Sequence, residues 1–250
     1  MYQALLDCPD ISQTKFSSLR ACISGGAPLP AELKSRFEKL TGAVVIEGYG
    51  LTESSGVVSC NPYSGLNKLG SIGQPIPGTV VKLLDKEDPT KPAPDGDPGE
   101  LVFSGPQVMR GYWGRPESDA EVFIDGYLRT GDVATIDEDG FIFIVDRLKD
   151  MIAVGGFKVF PSQIEEILYR HPAIKEALVI GVHDDYLGER PRAFVTLQDD
   201  AHADGPAIAD WLNPLLGKHE RVQAVIVLDV LPKTMIGKLD RKALRAAVGV

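Results

Sequence analysis

The sequence predicts a mixed chain, α/β first and α+β afterwards. The end of a parallel-sheet α/β region is expected over residues 1–70, a small distorted β-barrel over 71–148, and a C-terminal α+β domain over 149–250. Three patterns carry this expectation. A strand–helix–strand order with short connections opens the chain. Short strand-like runs between Pro- and Gly-rich turns follow it. Strand runs interleaved with two helical periodicities close it.

In order, residues 1–6 read as the middle of an amphipathic helix with no capping residue ahead, so the chain is expected to be a fragment. Leu19–Ile23 is a short apolar run that ends at Ser24-Gly25-Gly26. Pro30 then opens a helix with Leu33, Phe37 and Leu40 on one face, and Gly42 closes it. Ala43–Ile46 is the second strand of the unit, ending at Glu47-Gly48-Tyr49-Gly50. The two strands of such a unit lie parallel, so both glycine-rich segments leave the C-terminal edge of the sheet, where ligands of open α/β sheets bind. Val80–Leu84, Gly99–Ser104, Asp132–Ile136 and Phe141–Val145 are short strands, the last two joined by an Asp139-Gly140 hairpin turn. Pro161 opens a helix with Ile164, Ile167 and Leu168 on one face. Strands are expected at Ala177–Val182, Ala193–Leu197 and Val222–Leu228, with helices over Pro206–Leu216 and Leu239–Val248.

The 250 residues are 44% hydrophobic and 24% charged, ordinary globular values that argue against wholesale disorder. A net charge of −9 argues against a nucleic-acid binder, yet permits a phosphorylated small ligand whose charge a divalent cation neutralises. Cys8, Cys22 and Cys60 are odd in number and lack metal-ligand spacing, which favours reduced thiols and a cytoplasmic location. No apolar run is long enough to cross a bilayer, and no export signal opens the chain. Walker A, HExxH and GxSxG patterns do not occur, and the four histidines show no ligand spacing.

Five segments can carry chemistry. Ser24–Pro30 offers bare backbone beside a strand end, as a simple βα loop or as a flat wall for a base or acyl chain. In Gly48–Ser54, Tyr49 stands between two glycines with few neighbours to pack on, which favours a stacking face. Thr52 adds a hydroxyl, and Glu53 is either a helix N-terminal acid or a carboxylate for a hard cation such as Mg2+. Gly126–Asp132 places Asp132 at a strand entrance, as a turn residue or as an acceptor for ribose hydroxyls. Asp146–Lys158 is charge-dense and lacks the padding of an inert linker. Pro232–Arg241 holds Lys238 on a short basic loop, an ammonium that can be offered to an anion as a point charge.

Taken together, SGGAPLP (24–30), GYGLTES (48–54), GYLRTGD (126–132), DRLKDMIAVGGFKVFPSQIEE (146–166) and PKTMIGKLDR (232–241) resemble the adenylate-forming superfamily. The third region looks most like a bacterial medium- or long-chain fatty-acid CoA ligase. The resemblance runs from about Leu19 to Arg241 and implies that 1–70 is the C-terminal part of the large AMP-binding subdomain, while 149–250 is a mobile small domain.

It implies a two-step reaction: ATP and a carboxylic acid give an acyl-adenylate and pyrophosphate, and coenzyme A then displaces AMP to give a thioester. By motif, Gly26, Ala27 and Pro28 line adenine and the acyl pocket, and Tyr49 stacks on adenine. Glu47, Gly48 and Thr52 contact the nucleotide, and Glu53 holds Mg2+. Asp132 and Arg147 bind the ribose, Lys149 is the hinge, and Gly155 and Gly156 line the thiol tunnel. Lys238 bridges the carboxylate and the α-phosphate. The fatty substrate leaves a peripheral membrane contact open. Two features depart from the pattern. The family's phosphate loop belongs upstream of residue 1, and Ala153 stands where several relatives carry Lys. The alternatives are an aryl or hydroxycinnamate CoA ligase, and a truncated, non-catalytic nucleotide- or CoA-binding module.

Overall fold

Helix α1 (Tyr2–Leu6) is a short amphipathic turn whose Tyr2 packs edge-on against Phe37 of α2 (Ala31–Thr41), with strand β1 (Ala21–Ser24) between them in sequence. Helix α2 starts directly after Pro30 and stops at Gly42 in the left-handed conformation, the arrangement that its punctuation requires. It returns the chain to β2 (Val44–Tyr49), which pairs in parallel with β1 in the register Ala21–Val44 to Ser24–Glu47. Tyr2, Phe37 and Val45 form the core on one face of this pair. On the opposite face of β1, Ile23 is 75% exposed. The computed structural model describes residues 1–26, 29–235 and 237–249.

Strand β2 continues the first sheet through β3 (Ser59–Cys60) and β4 (Gln74–Pro75), both antiparallel. The next region is a curled half-barrel. Strands β5 (Val80–Leu84) and β6 (Gly99–Ser104) pair antiparallel. Then, after helix α3 (Pro116–Val122), β7 (Phe123–Ile124), β8 (Tyr127–Ile136) and β9 (Ile142–Arg147) complete five strands. Strand β6 is almost wholly buried, so both faces of the curled sheet have apolar cover. The Asp139-Gly140 turn forms as expected: Gly140 has φ +79° and the Asp137 N–H donates to the Phe141 carbonyl. Residues Met1–Ile144 make one compact unit and Val145–Val250 a second.

The second unit begins with the hairpin β10 (Ile152–Val154) and β11 (Phe157–Val159), then helix α4 (Pro161–Leu168). A long antiparallel pair follows, β12 (Ile174–Asp184) with β13 (Gly188–Leu197). Helix α5 (Gly205–Leu212) is shorter than its periodicity suggests. Pro214 cannot donate an N–H, and the chain tightens into a 3-10 turn over Asn213–Leu215. Strand β14 (Val225–Val227) pairs in parallel with β13, and helix α6 (Arg241–Val248) closes the fold. Helices α4 and α5 cover one face of this sheet through Ile164, Leu168, Ile208 and Leu212, while Leu244 of α6 packs with Leu178, Ile180 and Phe194. Among the described residues no helix is long and apolar enough to cross a membrane.

Candidate active site

The site-forming edge begins where β1 and β2 end. Gly26 follows β1 in the left-handed region at φ +78°; Ala27 and Pro28 lie outside the described residues. A side chain on Gly25 would come within 3.2 Å of the Gly48 carbonyl, so the two glycine-rich segments run close together. Glu47 turns away from this edge. Its carboxylate is buried and accepts a bond from Lys34 of α2 at 3.3 Å, while Lys34 also donates to Asn67 at 2.8 Å. Burial pushes the Glu47 carboxyl up in pKa against the opposing pull of Lys34. The side chain ties α2 to β2, and its carbonyl accepts from Asn61, so both polar ends of Glu47 hold the fold.

Tyr49 does not lack neighbours. Its ring packs against the Val58–Phe103–Leu128 and Leu101–Ala134–Ile142 clusters, and its hydroxyl donates to Asp132 Oδ2 at 2.5 Å. Asp132 is not at a strand entrance but inside β8, and is only 4% exposed. The reason is a bulge: the β6–β8 register shifts between Glu100 and Val102, with Gly131 at φ +69°. Such a bulge bends the strand and re-aims the residue beside it. Arg129 clamps Glu100 at 2.7 Å, and Thr130 Oγ1 donates to the Leu101 carbonyl while accepting from the Asp132 N–H, which fixes the bulge.

Thr52, Glu53 and Ser54 form a 3-10 turn directly after β2. Thr52 is exposed and Glu53 half-buried, with Oε1 accepting from the Tyr112 hydroxyl at 2.7 Å. Among the described residues no three His, Cys, Asp or Glu side chains gather as a metal cluster.

The remaining candidates belong to the second unit. Asp146 is buried and accepts from the Ser162 N–H at 2.7 Å, satisfying one open donor at the start of α4. Arg147 and Lys149 are exposed, whereas Asp150 is buried and bonded to Arg245 at 3.1 Å. Gly155 and Gly156 form the two-residue turn between β10 and β11, at φ +57° and +86°; positive φ at both positions is the primed hairpin geometry. Gly155 donates to the Leu187 carbonyl at 2.8 Å, and a Cβ there would stand 3.1 Å from the Leu187 side chain.

Next to this turn lies a cleft of about 540 Å3 whose wall includes Leu187, Arg190, Lys218, His219 and Arg221. His219 stacks on Phe157 at 3.6 Å, and Arg190 stands 3.8 Å from Asp184. The sequence reading missed this cleft. Its only local signal is the charged run Lys218–Arg221, which has the look of a solvated loop.

Lys238 is exposed on a tight turn. Thr234 donates its N–H to the Lys238 carbonyl at 2.7 Å, the Lys238 N–H donates to Thr234 Oγ1 at 3.2 Å, and Gly237 bonds the Thr234 carbonyl. Asp240 then caps α6 by accepting from the Ala243 N–H at 3.0 Å. The structure thus gathers Gly26, Glu47, Gly48, Tyr49, Thr52, Glu53 and Asp132 in the first unit. Arg147, Lys149, Gly155, Gly156 and Lys238 fall in the second.

Residues 1–113 match the family model described as AMP-binding enzyme, and residues 163–238 match AMP-binding enzyme C-terminal domain. The chain is 43% identical over 244 residues to a long-chain-fatty-acid–CoA ligase of Bacillus subtilis, covering 98% of this chain and 43% of that protein. It is 42% identical over 250 residues to a feruloyl-CoA synthase of an Amycolatopsis species, covering all of this chain and 50% of the relative. Among solved structures, ATP-bound MatB from Rhodopseudomonas palustris superposes with a TM-score of 0.91 at 36% identity, over 98% of this chain and 49% of that one. The anthranilate CoA ligase AuaEII in complex with anthranoyl-AMP gives 0.84 at 34% identity, over 98% and 48%. The chain therefore spans about half the length of the relatives it matches.

Proposed function

The chain belongs to the AMP-binding enzyme family, and from that premise we propose that the full-length gene product joins a carboxylic acid to coenzyme A. An acyl-adenylate forms from ATP with release of pyrophosphate, and the thiol then displaces AMP. The observation that carries this reading is the bond from Tyr49 to Asp132, which fixes a half-buried aromatic ring and a buried carboxylate at the C-terminal end of β2. A ring and a carboxylate so placed suit the base and the sugar of a nucleotide. By motif, Gly26, Ala27 and Pro28 would line the adenine and the acyl pocket, Glu47 and Gly48 would contact the nucleotide, and Arg147 would be the second ribose contact.

Catalysis needs positive charge against a phosphate that gathers negative charge as a carboxylate attacks it. Lys238 is the protein's own cation for that purpose, and preorganised groups of this kind are worth roughly 3–4 kcal/mol each. Glu53 and Thr52 fit Mg2+: they offer hard oxygens, and Mg2+ needs few protein ligands when phosphates and waters complete its shell. When bound, the cation supplies further positive charge at the phosphates. In the second half-reaction, the small residues Gly155 and Gly156 would let the thiol arm pass close to backbone. The basic wall of Arg190, Lys218 and Arg221 suits the phosphates of coenzyme A. In this reading residues 149–250 turn about Lys149 between the two steps; the division at 70 separates the α/β and β-barrel subdomains of the larger part, and that at 148 sets the small domain apart from both. The three free thiols favour a reducing, cytoplasmic setting.

A fatty acid is the favoured substrate, on the likeness to the long-chain ligases. The near-equal likeness to a feruloyl-CoA synthase supports an aromatic acid as the second reading. Pyrophosphate exchange by the full-length protein across octanoate, palmitate and ferulate tests both. Acid-dependent exchange is expected, strongest with a fatty acid. Preference for ferulate reverses the order, and binding of AMP or coenzyme A with no acid-dependent exchange replaces the enzyme with a binding module.

A further inference from the structure

We infer that Tyr112 is a positioning residue that holds the Glu53 carboxylate by one oxygen and turns the other toward the nucleotide edge. The inference rests on the reading of Glu53 as the carboxylate that meets a hard cation. Glu53 sits on a three-residue turn, where a long side chain has many rotamers and freezing it costs entropy. One segment supplies two contacts, one that holds the backbone of the turn and one that restrains the side chain. The Met109 N–H donates to the Glu53 carbonyl at 2.8 Å, and the Tyr112 hydroxyl donates to Oε1 at 2.7 Å. Among the described residues Oε2 takes no hydrogen bond, so a single donor fixes the group and leaves one oxygen to a ligand.

The segment that carries Tyr112 is itself anchored. Its N–H donates to Asp119 Oδ1 of α3 at 2.7 Å, and a Cβ on the preceding Gly111 would stand 2.5 Å from the same carboxylate. Asp119, Tyr112 and Glu53 thus form a short chain of contacts that starts on a helix and ends at the site. A hydroxyl donating to an ionised carboxylate makes one of the stronger classes of hydrogen bond. The contact spans 59 positions of sequence, and neither residue needs it to complete a strand or helix.

The test is calorimetric binding of a non-hydrolysable ATP analogue to the full-length protein, with Mg2+ and with EDTA, for the wild type, Tyr112→Phe and Glu53→Gln. Thermal unfolding of each variant runs alongside. Partners that orient a ligand typically change metal affinity 10–100-fold when removed, so Tyr112→Phe should lose about tenfold or more of the Mg2+-dependent gain while affinity in EDTA stays nearly unchanged. Equal weakening in both conditions makes Tyr112 a packing residue and overturns the proposal. An unchanged Tyr112→Phe beside a deficient Glu53→Gln overturns the role of Tyr112 alone. A Glu53→Gln protein that keeps the full Mg2+ gain, or a wild type that shows none, removes the reading of Glu53 and the role of Tyr112 with it.

Discussion

Arg241 of α6 grips both carboxylate oxygens of Glu165 on α4, at 2.7 and 2.6 Å, and so ties the helix that follows the Lys238 turn to the helix that follows the Gly155–Gly156 hairpin. The Val179 N–H donates to the same carboxylate at 2.7 Å, and Arg241 stands 3.7 Å from Asp150, which Arg245 also engages. Burial works against the guanidinium charge, but Glu165, Asp146 and Asp150 outweigh it and hold the Arg241 pKa above its ordinary value. Burial also pushes the Glu165 carboxyl up in pKa against the pull of Arg241. Two short bonds and a backbone donor nevertheless require an ionised acceptor, so the pair is read as two ions.

Removing one partner of such a pair strands the other charge. Arg241→Met should therefore destabilise the protein by about 3–5 kcal/mol, whereas Arg241→Met with Glu165→Leu should recover most of that loss. Urea unfolding of the wild type and both variants measures it. A single variant as stable as the wild type would show that the ions contribute nothing to the unit.

A second expectation concerns acid. Lys68 donates to Asp137 and Asp139 at 2.6 Å each, and the Phe141 and Asp139 N–H groups donate to Asp137 Oδ1. Lys68 first, helped by the backbone donors, holds the Asp137 carboxyl below its ordinary pKa. A carboxyl depressed in the folded state adds stability above its unfolded pKa, and loses that contribution as pH falls through the folded one. The melting temperature should therefore drop on acidification below about pH 4, and Asp137→Asn should flatten the drop while lowering stability at neutral pH. Melting curves between pH 3 and 7 decide it; equal acid sensitivity in the two proteins would place the effect elsewhere.

The elements legible in the sequence were those with local punctuation. Pro30 and Gly42 bracket α2, and Asp139-Gly140 marks its hairpin, because each acts on the backbone beside it. What escaped depends on partners far along the chain. Tyr49 between two glycines reads as lonely, since nothing nearby reveals Val58, Phe103 and Leu128. Thr130-Gly131-Asp132 reads as a turn that opens a strand, because glycine marks a turn and a bulge alike; only the pairing with Glu100 separates them. Tyr112 has no motif of its own, and its meaning appears only beside Glu53. The basic cleft escaped for the same reason, since Arg190 and Lys218–Arg221 come from separate loops and strands.

The Lys238 turn gives the most direct test of chemistry. Thr234 meets the Lys238 backbone from two directions, and Leu239 pairs with Lys233 in an isolated bridge, so backbone contacts among the described residues set the position of Lys238. Lys238→Ala deletes that charge but leaves Thr234, Gly237 and the Asp240 cap in place, so the turn should persist. Loss of one preorganised donor in other enzymes lowers turnover by about 10²–10³-fold, and a loss of that size is expected in ATP–pyrophosphate exchange by the full-length protein. Thiolysis of supplied acyl-adenylate should change little, because the phosphate charge that Lys238 offsets has already been resolved in that substrate. The two half-reactions, measured on one preparation, separate charge stabilisation from damage to the fold. A misfolded unit loses both, and a lysine with no part in the first step loses neither. Arg in place of Lys238 should not restore exchange, since a broad planar guanidinium cannot act as the compact point charge that the site presents.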